Sequence, residues 1–454
     1  MPRPATLAAR RRTHPVLLTP DPADEEFPSS LRALESSVSR PALPSVPHER
    51  ARLLLLGAFA LSGLLAFSWL ARIPGVRDLL SLSAADLGGI LLIGSIGALA
   101  TVVSSSALLA RFGSARVFAA GTVIIAVGFV LMGLGPALGS RWLFGVGILV
   151  NGVGGSLVAV PMNVESTRVE RAYGRSVIPH FHAAFSAGAV AGSILGAGAA
   201  SVGLPVVAQF AAFSVGVAVL RLAALSAGMV LPGRPQAPSG PPEKASRSAM
   251  SVWTEPRTIL IGLVAFAATL GEGAANNWLA LAVVDRFGTT EAFGGIALGV
   301  FIGTMTIVRL AGTRAIDRLG RVASLQLSLV AGLLGLAAFG LAPHPAVALV
   351  GAALWGAGAA LCFPIAVAAV SDDHRGAQAR VSVITSMGSI AVLTAAPLVG
   401  VAAEALGGAQ QALLVVLVPL AAALFAARWV APSLTRVADP AEILADVPET
   451  VPAS

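Results

Sequence analysis

The chain is predicted to be an all-α membrane protein: twelve transmembrane helices in two pseudo-repeated six-helix halves. Three observations lead there. Hydrophobic residues make up 56% of the 454 and charged residues only 12%, about half the charge of an average soluble domain. Mean hydropathy is +0.83, more apolar surface than a soluble fold can hide. The apolar residues also fall in repeated runs of about 20, the length that crosses about 30 Å of hydrocarbon as a helix. A soluble enzyme, a nucleic-acid binder and a disordered chain are excluded.

The runs lie near 52–72, 88–110, 116–137, 142–163, 180–201 and 205–231, then 257–283, 292–312, 322–342, 345–370, 380–404 and 408–432. They lack the period-two alternation of a membrane barrel. Residues 1–51 carry Arg10, Arg11 and Arg12 with no apolar stretch directly after them, so they read as a disordered cytoplasmic tail and not a signal peptide. The Pro, Gly and Ser of 232–256 read as a linker between halves 52–231 and 257–432. Residues 433–454 form a second tail.

A net charge of +7 would suggest nucleic acid in a soluble domain, but here it matches the cytoplasmic excess of Lys and Arg. With the N-terminus inside, 25 basic residues fall on inner segments, counting Arg309 with the loop after its span. Four fall outside (Arg72, Arg77, Arg141, Arg286) and Arg221 lies within a span. A multi-pass plasma-membrane protein with both termini cytoplasmic is expected. The single cysteine, Cys362, rules out an intramolecular disulfide.

The halves repeat each other. Trp69-Leu70-Ala71 recurs as Trp278-Leu279-Ala280, Gly88-Gly89-Ile90 as Gly294-Gly295-Ile296, and Arg111-Phe112-Gly113 as Arg318-Leu319-Gly320. Gly152 with Pro161 answers to Gly356 with Pro364, and Ser186-Ala187-Gly188 to Ser386-Met387-Gly388. The offset drifts from 209 to 200 in one direction, as expected of a duplicated six-helix unit with both copies in one orientation.

Six plus six helices, a long central loop and a basic glycine motif after the second helix of each half resemble the major facilitator superfamily, whose halves are parallel repeats. The loop motif, Gly-x-x-x-Asp-Arg-x-Gly-Arg, is clearest at Thr313 to Arg321, with Asp317, Arg318, Gly320 and Arg321 in place. The first half keeps Arg111 and Gly113 without the acidic residue. Ala71-Arg72-Ile73-Pro74, Asn163, Glu170, His182, Ser186 and Gly271-Glu272-Gly273-Ala274 are similar to a bacterial branch of largely uncharacterised permeases near the fucose-permease-type sugar transporters. Where that branch usually has Asp before the span-7 tryptophan, this chain has Asn277. The resemblance implies alternating access around spans 1, 4, 5, 7, 10 and 11, with spans 5 and 8 meeting across the halves.

Charges inside a membrane are costly and usually face a cavity. Glu272 is far from both ends of span 7 between Gly271 and Gly273, with Asn276 on the same face and Asn277 and Trp278 beside it. It reads as a substrate site and proton carrier, or else as a protonated group bonded to a neighbouring helix. Trp69 and Trp278 read as interface anchors or as sugar-stacking platforms, and Arg72 as an outer anchor or a substrate contact. Asn151 and Asn163 are the polar candidates of span 4. His182 is a candidate for the inner vestibule. Glu165, Arg168, Glu170 and Arg171 read as a solvated loop network, and Arg221 as snorkelling inward. Gly188, Gly192 and Gly196 in span 5, with Gly295, Gly299 and Gly303 in span 8, form small-residue faces expected to make the seam on which the halves rock.

His180 and His182, two apart, point away from each other, so no metal is expected, and no cofactor. No phosphate-binding loop or hydrolase signature is present, which leaves ATP-driven transport and a membrane-embedded enzyme unsupported. The resulting expectation is a monomeric secondary transporter in the lipid bilayer, taking up a small polar solute such as a sugar with protons, without nucleic-acid partners. Export of a drug or metabolite by antiport is the alternative, and a membrane-embedded enzyme or a solute sensor a remote one. The span-5 run from Gly188 to Gly192 lacks the proline usual in antiporters of the superfamily.

Overall fold

The computed structural model describes residues 46–174, 177–231, 252–372 and 377–431, and all regular structure among them is helical. The first half comprises α1 (Val46–Leu70), α2 (Ile73–Leu80), α3 (Ala84–Ala137), α4 (Arg141–Tyr173), α5 (Ile178–Ser201) and α6 (Val206–Ser226). The second comprises α7 (Pro256–Phe287), α8 (Glu291–Gly340), α9 (Pro345–Ala359), α10 (Cys362–Val370), α11 (Ala377–Leu406), α12 (Ala409–Ala412) and α13 (Leu417–Ala426). Helix α1 begins at Val46, so residues 46–51 are helical and do not belong to a disordered tail. The rest of that tail, the segment 232–251 and residues 432–454 lie outside the described residues.

Eleven described helices are long and apolar enough to cross a membrane, counting the two limbs of α8 separately and α9 with α10, and α12 with α13, as one each. One of them, α3, is two spans in a single run, reversing at Gly113 (φ 78°, ψ 161°). Its repeat mate Gly320 (φ 80°, ψ 165°) does the same in α8. Neither glycine has a neighbour within 4 Å of where a Cβ would lie, so backbone angle and not space demands glycine at both. The basic motif of each half is thus a turn device first.

Local chemistry sets the other ends. Ser83 and Asp86 form a reciprocal capping box at the start of α3. Gly174 and Gly288 close α4 and α7 in the left-handed conformation. Pro179, Pro256 and Pro345 sit in first turns, where no backbone donor is lost.

The two halves meet along two seams, α5 with the first limb of α8 and the first limb of α3 with α11. In the second, a Cβ on Gly88 would lie 2.8 Å from the Ala396 carbonyl oxygen, and one on Gly400 2.7 Å from that of Ala84. In the first, the glycines divide differently from expectation. A Cβ on Gly188, Gly192 or Gly196 would strike the carbonyls of Ala60, Leu64 or Ser68 on α1, so this stripe packs within the first half. The α8 stripe does face across, but onto small residues of α5. A Cβ on Gly295 would lie 2.9 Å from Ala197, on Gly299 3.6 Å from Ser193, and on Gly303 4.0 Å from Val190. These spacings widen toward the end where α1 begins and α13 ends, here the near end.

Candidate functional site

A cavity of about 360 Å³ lies between the halves at mid-height, within the size range of small-molecule sites. Trp69, at the end of α1, and Asn151, in the middle of α4, enter it from one half, and Asn277 of α7 from the other. Of the nine candidate binding residues, these three are brought together. Ser95 on α3 and Ser389 on α11 add hydroxyls that sequence reasoning passed over, since a lone serine in an apolar run is commonplace. No charged side chain lines this cavity. The Asn277 amide donates to the Gly273 carbonyl at 2.8 Å, which leaves its carbonyl oxygen and second N–H for another partner.

Glu272 is not isolated. It lies 3.7 Å from the Arg309 guanidinium of α8, and the two side chains are 34% and 35% exposed. Arg309 is therefore a residue of the span and not of the following loop. Its position follows from a proline elsewhere. Pro364 has no N–H to give the Ala360 carbonyl, the helix breaks at Ala360 and Leu361 between α9 and α10, and the Arg309 Nε donates to that freed oxygen at 3.2 Å. The Asn276 Oδ1, one turn from Glu272, is buried without a partner.

The other candidates separate. Trp278 is fully buried with its indole N–H unpaired. It is neither an interface anchor nor a stacking platform, because α7 continues well past it to Phe287 and its own ring packs against Gly400 of α11. Asn163 is exposed toward the near end, its amide donating to Ala159 of its own helix at 3.0 Å. His182 is exposed and meets Phe59 edge-on at 5.9 Å, while Ser186, one turn on, is buried.

Arg72 belongs to the far end. Its Nε donates to Glu291 across the halves at 2.9 Å, its Nη1 to Gln209 at 2.8 Å, and both Nη atoms to the Leu204 carbonyl at 3.2 Å. With every nitrogen engaged, it is a tie between the halves. Arg77 pairs with Asp285 and the Ala85 N–H donates to Glu404, both again across the halves.

Near-end ion pairs among the described residues stay within one half. Glu165 is 1% exposed, held by Arg168 at 2.9 Å and by the Leu231 N–H at 3.2 Å. It is a buried tie and not a solvated loop charge, because α4 runs on to Tyr173. Glu170 accepts from the Val177 and Ile178 N–H groups at the start of α5. Arg321 of the loop motif grips Asp372 with both carboxylate oxygens, at 2.6 and 2.7 Å. Asp317, Arg318 and Arg111 are exposed. The Arg380 guanidinium, 2.9 Å away, holds the Glu255 carboxyl below its ordinary range.

Arg221 does not snorkel. It is 2% exposed, donates to Ser62 at 2.6 Å, and has no carboxylate within reach among the described residues. Side chains lean toward the N-terminus of their own helix, which for α6 is the far end, so the guanidinium is carried into the bundle. Among the described residues no cluster of metal-ligating side chains occurs.

The Major Facilitator Superfamily model matches residues 53–388 and 261–444. The chain belongs to this superfamily. It is 27% identical over 352 residues to an uncharacterized MFS-type transporter of Yersinia pestis, covering 76% of this chain and 87% of that one. It is 24% identical to membrane protein MosC of Rhizobium meliloti, over 79% and 85% of the two chains. Among solved structures, the nucleoside transporter NupG aligns with TM-score 0.67 at 16% identity over 84% of this chain and 98% of its own. FucP in the outward conformation aligns with TM-score 0.58 at 16% identity over 84% and 98%. The fold is that of the superfamily, and the protein is a membrane transporter and not an enzyme.

Proposed function

We propose that this superfamily member is a secondary transporter, working by alternating access and taking up a small polar solute such as a sugar together with a proton. The observation that carries the reading is the mid-height cavity, because residues of both halves line it and its polar groups are uncharged amides, hydroxyls and an indole. A solute bound there is held by hydrogen bonds and stacking. Rocking of the halves would expose it to one side and then the other. The cross-half ion pairs found among the described residues, Arg72 with Glu291 and Arg77 with Asp285, lie at the far end and support an inward-facing form, given the cytoplasmic termini that the positive-inside count implies. Glu272 is the proposed proton carrier, since it is a carboxylate at mid-span of α7, 34% exposed, with Arg309 as its ionic partner.

The test is uptake into proteoliposomes under an imposed pH gradient, using sugars that stabilise the purified protein in a thermal-shift screen. A ligand at 100 times its dissociation constant adds about 2.7 kcal/mol to folding stability. Asn277→Leu and Trp69→Ala are expected to remove the shift. Uptake that ignores the pH gradient would end the proton-coupling reading, and equal shifts in both variants would move the site elsewhere.

A further inference from the structure

We infer that the transported solute carries one acidic group, and that Arg309 is the residue that receives it in exchange for Glu272. This rests on the reading above of a polar-solute site and names its substrate class, a hydroxylated carboxylic acid.

Arg309 is underused where it stands. A guanidinium offers five N–H donors. Its Nε is committed to the Ala360 carbonyl at 3.2 Å, and its one ionic contact, to Glu272, is 3.7 Å long, beyond hydrogen-bond range. No other hydrogen bond to Arg309 occurs among the described residues, and its side chain is 35% exposed. The Nε anchor fixes the fork while leaving both Nη groups without a hydrogen bond among the described residues, an arrangement suited to bidentate capture of a carboxylate. Among the described residues, His182 of α5 is the titratable group of the other half whose surroundings include the Arg309 charge.

Charge balance then dictates the coupling. Empty, the pair Arg309⁺ and Glu272⁻ is neutral. Loaded with the solute carboxylate on Arg309 and a proton on Glu272, the site is neutral again. A proton alone leaves +1 and the solute alone leaves −1, and an unbalanced charge is costly inside the membrane. Only the empty and doubly loaded forms therefore cross readily. One proton enters with one monocarboxylate, and no net charge moves.

Asn277, which lines the uncharged cavity, is five residues beyond Glu272, about 7.5 Å along α7 and about 140° around it. In the proposed complex the solute carboxylate sits at Arg309 and its hydroxyls turn toward the cavity that Asn277, Asn151 and Ser389 line.

The experiment is a thermal-shift and equilibrium-binding comparison of glucose and galactose with gluconate, glucuronate and galacturonate. It uses the full chain and its Arg309→Gln, Arg309→Lys and Glu272→Gln variants. The acids are expected to bind wild type at least about tenfold better than the neutral sugars, one charged hydrogen bond being sufficient. Arg309→Gln should lose that preference, and Arg309→Lys should recover part of it. Glu272→Gln, which removes the competitor, should bind acids several-fold more tightly and with a flattened pH dependence. In proteoliposomes, acid uptake should carry protons and ignore an imposed membrane potential. Neutral sugars binding wild type and Arg309→Gln alike would overturn the acidic-solute inference while leaving the polar-solute reading intact. Weaker acid binding by Glu272→Gln would overturn the exchange. If no sugar or acid binds wild type, both readings fall.

Discussion

The Arg72 Nε and the Glu291 Oε1 meet at 2.9 Å across the two halves of the molecule, at the far end. The arginine is anchored on its own half by Gln209, itself buried and donating to the Ser68 carbonyl at 3.1 Å, and by the Leu204 carbonyl. The carboxylate also accepts the Gly75 N–H at 3.3 Å, and a Cβ on Gly75 would sit 2.7 Å from that oxygen. Arg72, in the break between α1 and α2, and Gly75, in the first turn of α2, thus form a cradle for one carboxylate of the opposite half.

Gly75→Ala and Glu291→Gln should each loosen this closure and shift the population toward an open far end by about tenfold or more, since a half-broken buried pair costs several kcal/mol. Spin labels at the exposed positions 79 and 286, in a Cys362→Ser background, would report the longer distance. An unchanged distance distribution in both variants would mean that the tie does not hold the halves together.

Gly192 and Gly299 separate folding from rocking. Gly192→Leu would drive a side chain into the Leu64 carbonyl within one half, and overpacking of that kind costs about 1–3 kcal/mol or more. The expected result is poor yield and a lower melting temperature. Gly299 has room for a methyl, with Ser193 at 3.6 Å, so Gly299→Ala should behave as wild type. Gly299→Leu should fold but transport poorly. A well-folded, inactive Gly192→Leu would contradict the packing described here.

Arg221 and Ser62 form a charged hydrogen bond of 2.6 Å with no counter-ion among the described residues. Removing the hydroxyl strands the guanidinium, so Ser62→Ala should lower stability by about 1.5–3 kcal/mol. Arg221→Met, which removes the buried charge and keeps the bulk, should be neutral or stabilising. Thermal melting of both in detergent checks the signs. Destabilisation by Arg221→Met would show that the guanidinium has a stabilising partner beyond Ser62.

Much of the architecture was legible because the bilayer imposes a length and a polarity on every span. The twelve runs, the repeat and the paired turn glycines Gly113 and Gly320 all follow from one-dimensional pattern. Glu272 stands out the same way, as a charge that an apolar run does not explain. Its partner does not. Arg309 lies three residues from the end of its run and reads as loop charge until α7, α8 and the break at Ala360 are placed together.

Which segments cross the membrane, how the halves repeat and where intramembrane charge occurs can be read along the chain, because these depend on local composition and on solvation of single helices. Tertiary structure decided which small-residue stripe faces which neighbour. It joined Arg72 to Glu291 and Arg309 to Glu272, and it placed Trp278 in the core while Trp69 lines the cavity. Helices in a bilayer share the same apolar surface chemistry on every side, so rotation about the helix axis and choice of partner rest on close packing and a few polar contacts. Those contacts join residues up to 319 positions apart, and no spacing along the chain encodes them.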